Sequence, residues 1–205
     1  MEIDYSEARK EIQTKLFFTQ EDPSQAGFDR FFSADQRIPF SIAYPRKLNP
    51  HYTDTEYLYT LSVTFGPRTF SIVRADHTWQ REVSDKEYLA SFVPTSDSPL
   101  IRDLLKGVRE WSDFGEAFAL KNAWIAEGDE GLATVGNPPF KAARVIWEAR
   151  ENRWSEWVLF QVGLQIWTIS RHPGSSISSD IFYIILQSFC FLDDEFFSAL
   201  GIHHS

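Results

Sequence analysis

The residues able to do chemistry are few and scattered along the chain. Asp76 and His77 are neighbours near the end of a strand-like run, where a carboxylate can orient an imidazole for acid–base work. Neighbouring strand residues point to opposite faces, however, so the pair also reads as a plain exposed edge. Arg171 and His172 precede Pro173 at the close of an apolar run, a place where a pocket can form and where solvated polar groups also gather. A pocket near His77 or His172, supplied with carboxylates, would belong to a small-ligand binder or a hydrolase-type enzyme. Glu127, Asp129 and Glu130 stand in the sequence EGDEG without the alternating oxygen ligands of a calcium loop, and they read as a solvated acidic turn. His203 and His204 read as tail residues. The sequence carries no glycine-rich phosphate loop with its lysine, no paired-histidine metal motif, no Gly-x-Ser-x-Gly elbow and no cysteine pair. No catalytic residue, cofactor site or metal site is therefore assigned.

Two groups of residues point to partner binding instead. Asp193, Asp194 and Glu195 lie beside Phe196 and Phe197, a combination suited to docking a basic partner. Trp147, Trp154, Trp157 and Trp167 cluster in sequence. Trp147 and Trp167 read as core, while Trp154 and Trp157 fall near a turn where a ring can serve as an interface anchor. The expected partner-binding set is thus Trp154, Trp157, Asp193, Asp194 and Glu195. It describes a non-enzymatic acidic protein-binding module: an assembly factor, a chaperone-like adaptor or an antagonist of a basic protein. The ligand pocket near His77 or His172 is the alternative. An exposed sheet edge would also allow homodimerisation.

Composition agrees with that bias. The 205 residues carry a net charge of -9, which opposes general affinity for nucleic acid or anionic membrane, since both require clustered Lys and Arg. Hydrophobic residues make up 43% and aromatic residues 16%, enough for one core built largely of rings. The one cysteine, Cys190, sits in the most apolar segment and reads as a buried, inert thiol suited to a reducing compartment. The N-terminal sequence has no basic segment followed by an apolar run, and no stretch offers about 18 uninterrupted apolar residues, so a cytoplasmic protein is expected.

The elements that must position these residues follow from periodicity. The segment from Lys141 to Asp194 organises the chain. Within it, residues 143–149 alternate as a half-buried strand, and Glu151, Asn152 and Arg153 make a polar turn. From Trp157 to Ile169 the positions Val158, Phe160, Val162, Leu164 and Ile166 form an apolar face at period two. Gly163 divides this run either as a hairpin turn or as a bulge, and the hairpin is favoured. After Pro173 and Gly174, Ser179 or Asp180 can cap a closing helix. Earlier in the chain, Asp4 and Glu7 resemble a capping box and predict a helix from Ser6 to Phe18. Gln20–Arg37 reads as an ordered loop or short helix whose rings dock on the body. Ile38–Tyr44, Glu56–Phe65 and Thr69–Val73 predict three strands, the last two a hairpin. A helical turn is predicted at Ser84–Phe92, an amphipathic helix from Ser98 to Trp111, and helix again over Phe114–Glu127 before a glycine- and proline-rich loop. The expected organisation is an N-terminal helix and Phe-rich loop, 1–37, packed on a single α+β domain, 38–205.

The run FSIAYP at Phe40–Pro45, the early hairpin, SDKEYL at Ser84–Leu89, the paired strands AARVIWEA and WVLFQVGLQIWTIS, and the closing QSFCF at Gln187–Phe191 resemble the layout of Mog1/PsbP-like proteins, including the DcrB group, over residues 38–194. The resemblance implies a mostly antiparallel sheet with helices packed on its faces, an αβα sandwich. It also implies a role in assembly, small-GTPase partnership or secretion chaperoning rather than catalysis. No site residue is carried over from it. The N-terminal helix, the Phe-rich loop and the long middle depart from that layout.

Overall fold

A computed structural model describes residues 17–33, 39–55, 60–67, 69–76, 94–99, 101–106, 121–124, 131–150, 153–163 and 165–192. Twelve strands and one ten-residue helix account for most of them, and every strand pairing among the described residues is antiparallel. A small sheet holds β1 (Phe17–Glu21), β2 (Phe28–Ser33), β3 (Phe40–Pro45) and β12 (Cys190–Phe191), in that order. The large sheet runs β4 (Pro50–Thr55), β5 (Thr60–Phe65), β6 (Phe70–Asp76), β11 (Gln165–Arg171), β10 (Arg153–Val162), β9 (Phe140–Arg150) and β7 (Lys121–Trp124). A further strand, β8 (Leu132–Val135), pairs with the first half of β9, and β7 pairs with its second half. The helix α1 (Ser179–Ser188) is capped by Ser178, not by the expected Ser179 or Asp180, and the Ser178 side chain accepts from the Ile181 amide at 3.3 Å.

The inner face of the large sheet meets the small sheet and α1. Leu61, Val63, Phe65, Phe70, Ile72, Val158, Phe160, Trp167 and Ile169 are buried there against Phe31, Phe40, Ile42 and Tyr44 of the small sheet and Phe182, Ile185 and Phe189 at the helix. Rings set the spacing. Phe65 stacks on Phe70 at 4.3 Å, and Phe160 stacks on Trp167 at 5.9 Å while Phe40 meets the indole edge-on at 5.1 Å. On the outer face a smaller cluster of Ala143, Val145, Leu159 and Ile166 is covered by the helical residues 101–106 through Ile101 and Leu105. Ser98 caps that segment, accepting from the Ile101 amide at 3.1 Å. Gly66 holds the β5–β6 turn at a φ of 62°, and a Cβ there would lie 2.9 Å from Leu48 Cδ2.

Several expectations need correction. The αβα sandwich with helices on the sheet faces does not form: the described residues are mostly antiparallel sheet, with strand packed on strand and only short helical cover. Phe17 and Phe18, placed by periodicity in a helix, begin β1, and the Ser6–Leu16 part of that helix lies outside the described residues. Gln20–Arg37 contains a turn at 22–27 and then strand β2. Its rings Phe28, Phe31 and Phe32 are buried as expected. Through β2, the segment before residue 38 hydrogen-bonds to β3 and so helps build the small sheet. Lys121–Trp124, read as helix, is strand β7, because a short edge segment takes its geometry from its long neighbour β9. Ser84–Phe92 lies outside the described residues, as do 107–111 and 114–120. The hairpin at Gly163 forms, with Val162 opposite Gln165 and Gly163 at a φ of 58°. Its two-residue turn shifts the phase, so Trp167 and Ile169 join Val162 in the main core while Ile166 falls on the outer face.

Candidate charged cavity between the helix and strands β8 to β10

Going along β10, the inward positions change character. Val162, Phe160 and Val158 are core, Glu156 is 5% exposed, and Trp154 is 45% exposed. Antiparallel pairing puts Arg171 of β11 directly opposite Glu156, and Arg144 of β9 opposite Val158, one diagonal step away. The Glu156 carboxylate accepts from Arg144 Nε at 2.6 Å and from Arg171 Nη2 at 3.5 Å. A buried carboxylate needs such partners, since isolated burial of its charge is prohibitive. The Arg171 guanidinium also lies 6.0 Å over the Phe182 ring, which α1 brings down onto the sheet. Arg171 Nε is buried with no hydrogen-bond partner among the described residues. Arg144 keeps about a third of its side chain exposed, at 34%, and among the described residues only its Nε is engaged.

Above this cluster the N-terminal half of α1 and strand β8 enclose an open cavity of about 310 Å³. Leu132, Phe182 and Leu186 form apolar wall, while Arg144, Glu156, Asp180 and Tyr183 bring polar atoms to it. Tyr183 is 48% exposed. Two guanidinium groups grip the one buried carboxylate, and of the two only Arg144 reaches the cavity lining, where its Nη donors are unused among the described residues.

A second arginine–carboxylate pair lies at the other end of α1. Arg30 Nε and Nη2 bind Asp22 Oδ2 at 3.1 and 3.0 Å, and Arg30 Nη1 donates to Ser41 Oγ at 3.1 Å and to the Ser188 carbonyl at 3.0 Å. Asp22 Oδ1 accepts from the Ser24 amide at 2.8 Å and from its hydroxyl at 2.5 Å. Placing this cation at the helix C-terminus also complements the helix dipole.

Of the expected partner-binding residues, Trp154 and Trp157 are three positions apart on one strand and face opposite sides of the sheet. Trp157 packs beside the outer cluster, so the two rings are not brought together. Asp193, Asp194 and Glu195 lie outside the described residues, as do His77, Glu127, Asp129, Glu130, His203 and His204, and the Asp76 and Trp147 side chains with them. Trp167 is core, as expected. His172 is half-buried, and that burial lowers its pKa from the usual imidazole value. Its neighbour Arg171, read as a solvated strand end, turns inward to Glu156 instead. Cys190, expected to be buried, is only partly buried in β12, its thiol donating to the Phe191 carbonyl at 3.1 Å. No group of three or more metal-ligating side chains occurs among the described residues, and none of their helices is long and apolar enough to cross a membrane. The sequence reading missed Arg144, Glu156, Asp180 and Tyr183. Glu156 carried a signal, being a charge in phase with Val158, Phe160 and Val162.

No protein-family model, curated protein or solved structure matches the chain.

Proposed function

We propose that this chain is a non-catalytic, cytoplasmic binding module that engages a protein partner through the end of the inner face bearing Trp154 and Tyr183. One observation carries the reading. Two of the three large exposed hydrophobic side chains among the described residues, Trp154 and Tyr183, flank the same Glu156 cluster, one two residues along β10 and the other on the cavity rim. Exposed aromatic side chains beside a partly desolvated charge cluster are the usual composition of interface hot spots. The net charge of -9 favours a partner with a basic surface, and the acidic stretch Asp193–Glu195 would add to that attraction. An assembly factor or chaperone-like adaptor works in this manner.

The test is affinity capture from native lysate with four proteins: wild type, Trp154→Ala, Tyr183→Ala and Leu104→Ala. Leu104 is the third exposed apolar side chain and lies on the outer helical segment, so it serves as control. A stoichiometric partner retained by wild type and Leu104→Ala, but lost by both aromatic variants, supports the proposal. Equal retention by all four would sink it.

A further inference from the structure

We infer that the cavity beneath α1 is a site for a small monocarboxylic acid with an apolar tail, its carboxylate seated on the outward guanidinium nitrogens of Arg144. Arg144 Nε is fixed by Glu156 at 2.6 Å, which orients the planar fork and leaves its two Nη groups without partners among the described residues. A guanidinium held in this way presents parallel N–H donors matched to a carboxylate. Glu156 is therefore a positioning residue. Arg171 holds the other carboxylate oxygen from the opposite side. The helix N-terminus adds nothing to the site, because Ser178 already caps it.

The remaining walls set the rest of the ligand. Leu132, Phe182 and Leu186 offer an apolar body one wall, beside the hydroxyls of Thr134 and Ser179. A volume near 310 Å³ lies at the lower end of small-molecule pockets, which suits a small ligand. Asp180 at the rim and Glu156 at the floor are both carboxylates, so a dianion such as a phosphate monoester would meet repulsion that a monoanion with one engaged headgroup avoids. A cation would face the Arg144 guanidinium in place of a matching acceptor.

The probe is hexanoate, titrated into the full chain by calorimetry and ligand-observed NMR, with hexylammonium and hexyl phosphate as comparisons. Saturable one-to-one binding of hexanoate is expected, stronger than either comparison, and weakened about tenfold or more by Arg144→Ala through loss of a charge-assisted contact. Because Arg144→Ala also strips Glu156 of its shorter bond, the exposed rim gives an independent reading: Tyr183→Lys should bind hexanoate more tightly than Tyr183→Glu. The inference is overturned if hexanoate does not saturate, if hexylammonium or hexyl phosphate binds more tightly, or if the two Tyr183 variants bind alike. Partner capture through Trp154 is a separate readout, so either idea can fail alone.

Discussion

The two ends of α1 each carry a buried carboxylate gripped by arginine, and they differ in what is left over. At the C-terminal end, Arg30 uses Nε, Nη1 and Nη2 together on Asp22, Ser41 and Ser188, and both Asp22 oxygens are occupied. At the N-terminal end, among the described residues, Arg144 uses only Nε and Arg171 Nε has no partner, and a cavity opens beside Arg144. The closed cluster ties the β1–β2 turn, β3 and the helix end into one piece. The open cluster fixes its own geometry and still presents donors to whatever enters. A pair with every bond used is architecture, whereas a pair with donors facing a cavity can bind.

The comparison breaks most sharply at Arg30. Arg30→Ala leaves Asp22 buried without its cation and should lower the unfolding free energy by about 3–5 kcal/mol, while hexanoate affinity at the far end of α1 stays unchanged. Urea denaturation and a parallel titration measure both quantities, and a fall in affinity with native structure intact would show that the two ends are coupled. Glu156→Gln should cost less, about 1–3 kcal/mol, because Arg144 is one-third exposed and can recover water. It should nonetheless weaken hexanoate by releasing the orientation of Arg144. Trp154→Ala should change stability by under about 0.5 kcal/mol, as expected of an exposed side chain, and act on partner capture alone. A loss above 1–2 kcal/mol in the same denaturation assay would recast Trp154 as a structural residue.

The smallest effect concerns His172, next to the open cluster in the chain. His172 has a lowered folded pKa because burial disfavours its cation. As pH falls through about 6.5, the unfolded chain takes up this proton before the folded one does. Stability contributed by the neutral imidazole is therefore full above that pH, declines below it, and levels off once folded His172 is also protonated. His172→Gln should remove this component, so the difference in Tm between wild type and variant should change as pH falls through about 6.5 and below. A pH-independent difference would remove His172 from the account and leave the acid response to other groups.

Much of the sheet was legible because its central strands are long and aromatic. The β10–β11 hairpin, the β5–β6 hairpin and the closing helix follow from period-two runs, Gly163, Gly66 and a Ser-Asp start. The edges were not. β4, with the sequence PHYTDT, and β7, with KNAW, have no apolar alternation of their own, and only the hydrogen bonds of a neighbour make them strands. The ring-rich stretch before residue 38 was correctly expected to dock, yet its strand character depended on pairing with β3, which local pattern does not encode. For the candidate site, Trp154 was visible as an exposed aromatic residue near a turn. The Glu156 cluster was obscure because its members come from three strands and meet only through register: Arg144 and Glu156 are 12 residues apart, Glu156 and Arg171 15. Reading Arg171 as a strand end ignored that its inward neighbour across the ladder would be a carboxylate.

The closed cluster has a consequence in time as well as in space. The bond from Arg30 to Ser188 spans 158 residues, and the small sheet gains its last strand, β12, only after α1. At a synthesis rate of about 5–20 residues per second, Ser188 is joined to the nascent chain roughly 8–30 s after Arg30. Through that interval the rings of β2 and β3 wait for the cover that α1 and Phe189 provide, so the first sheet to be synthesised is the last to be finished.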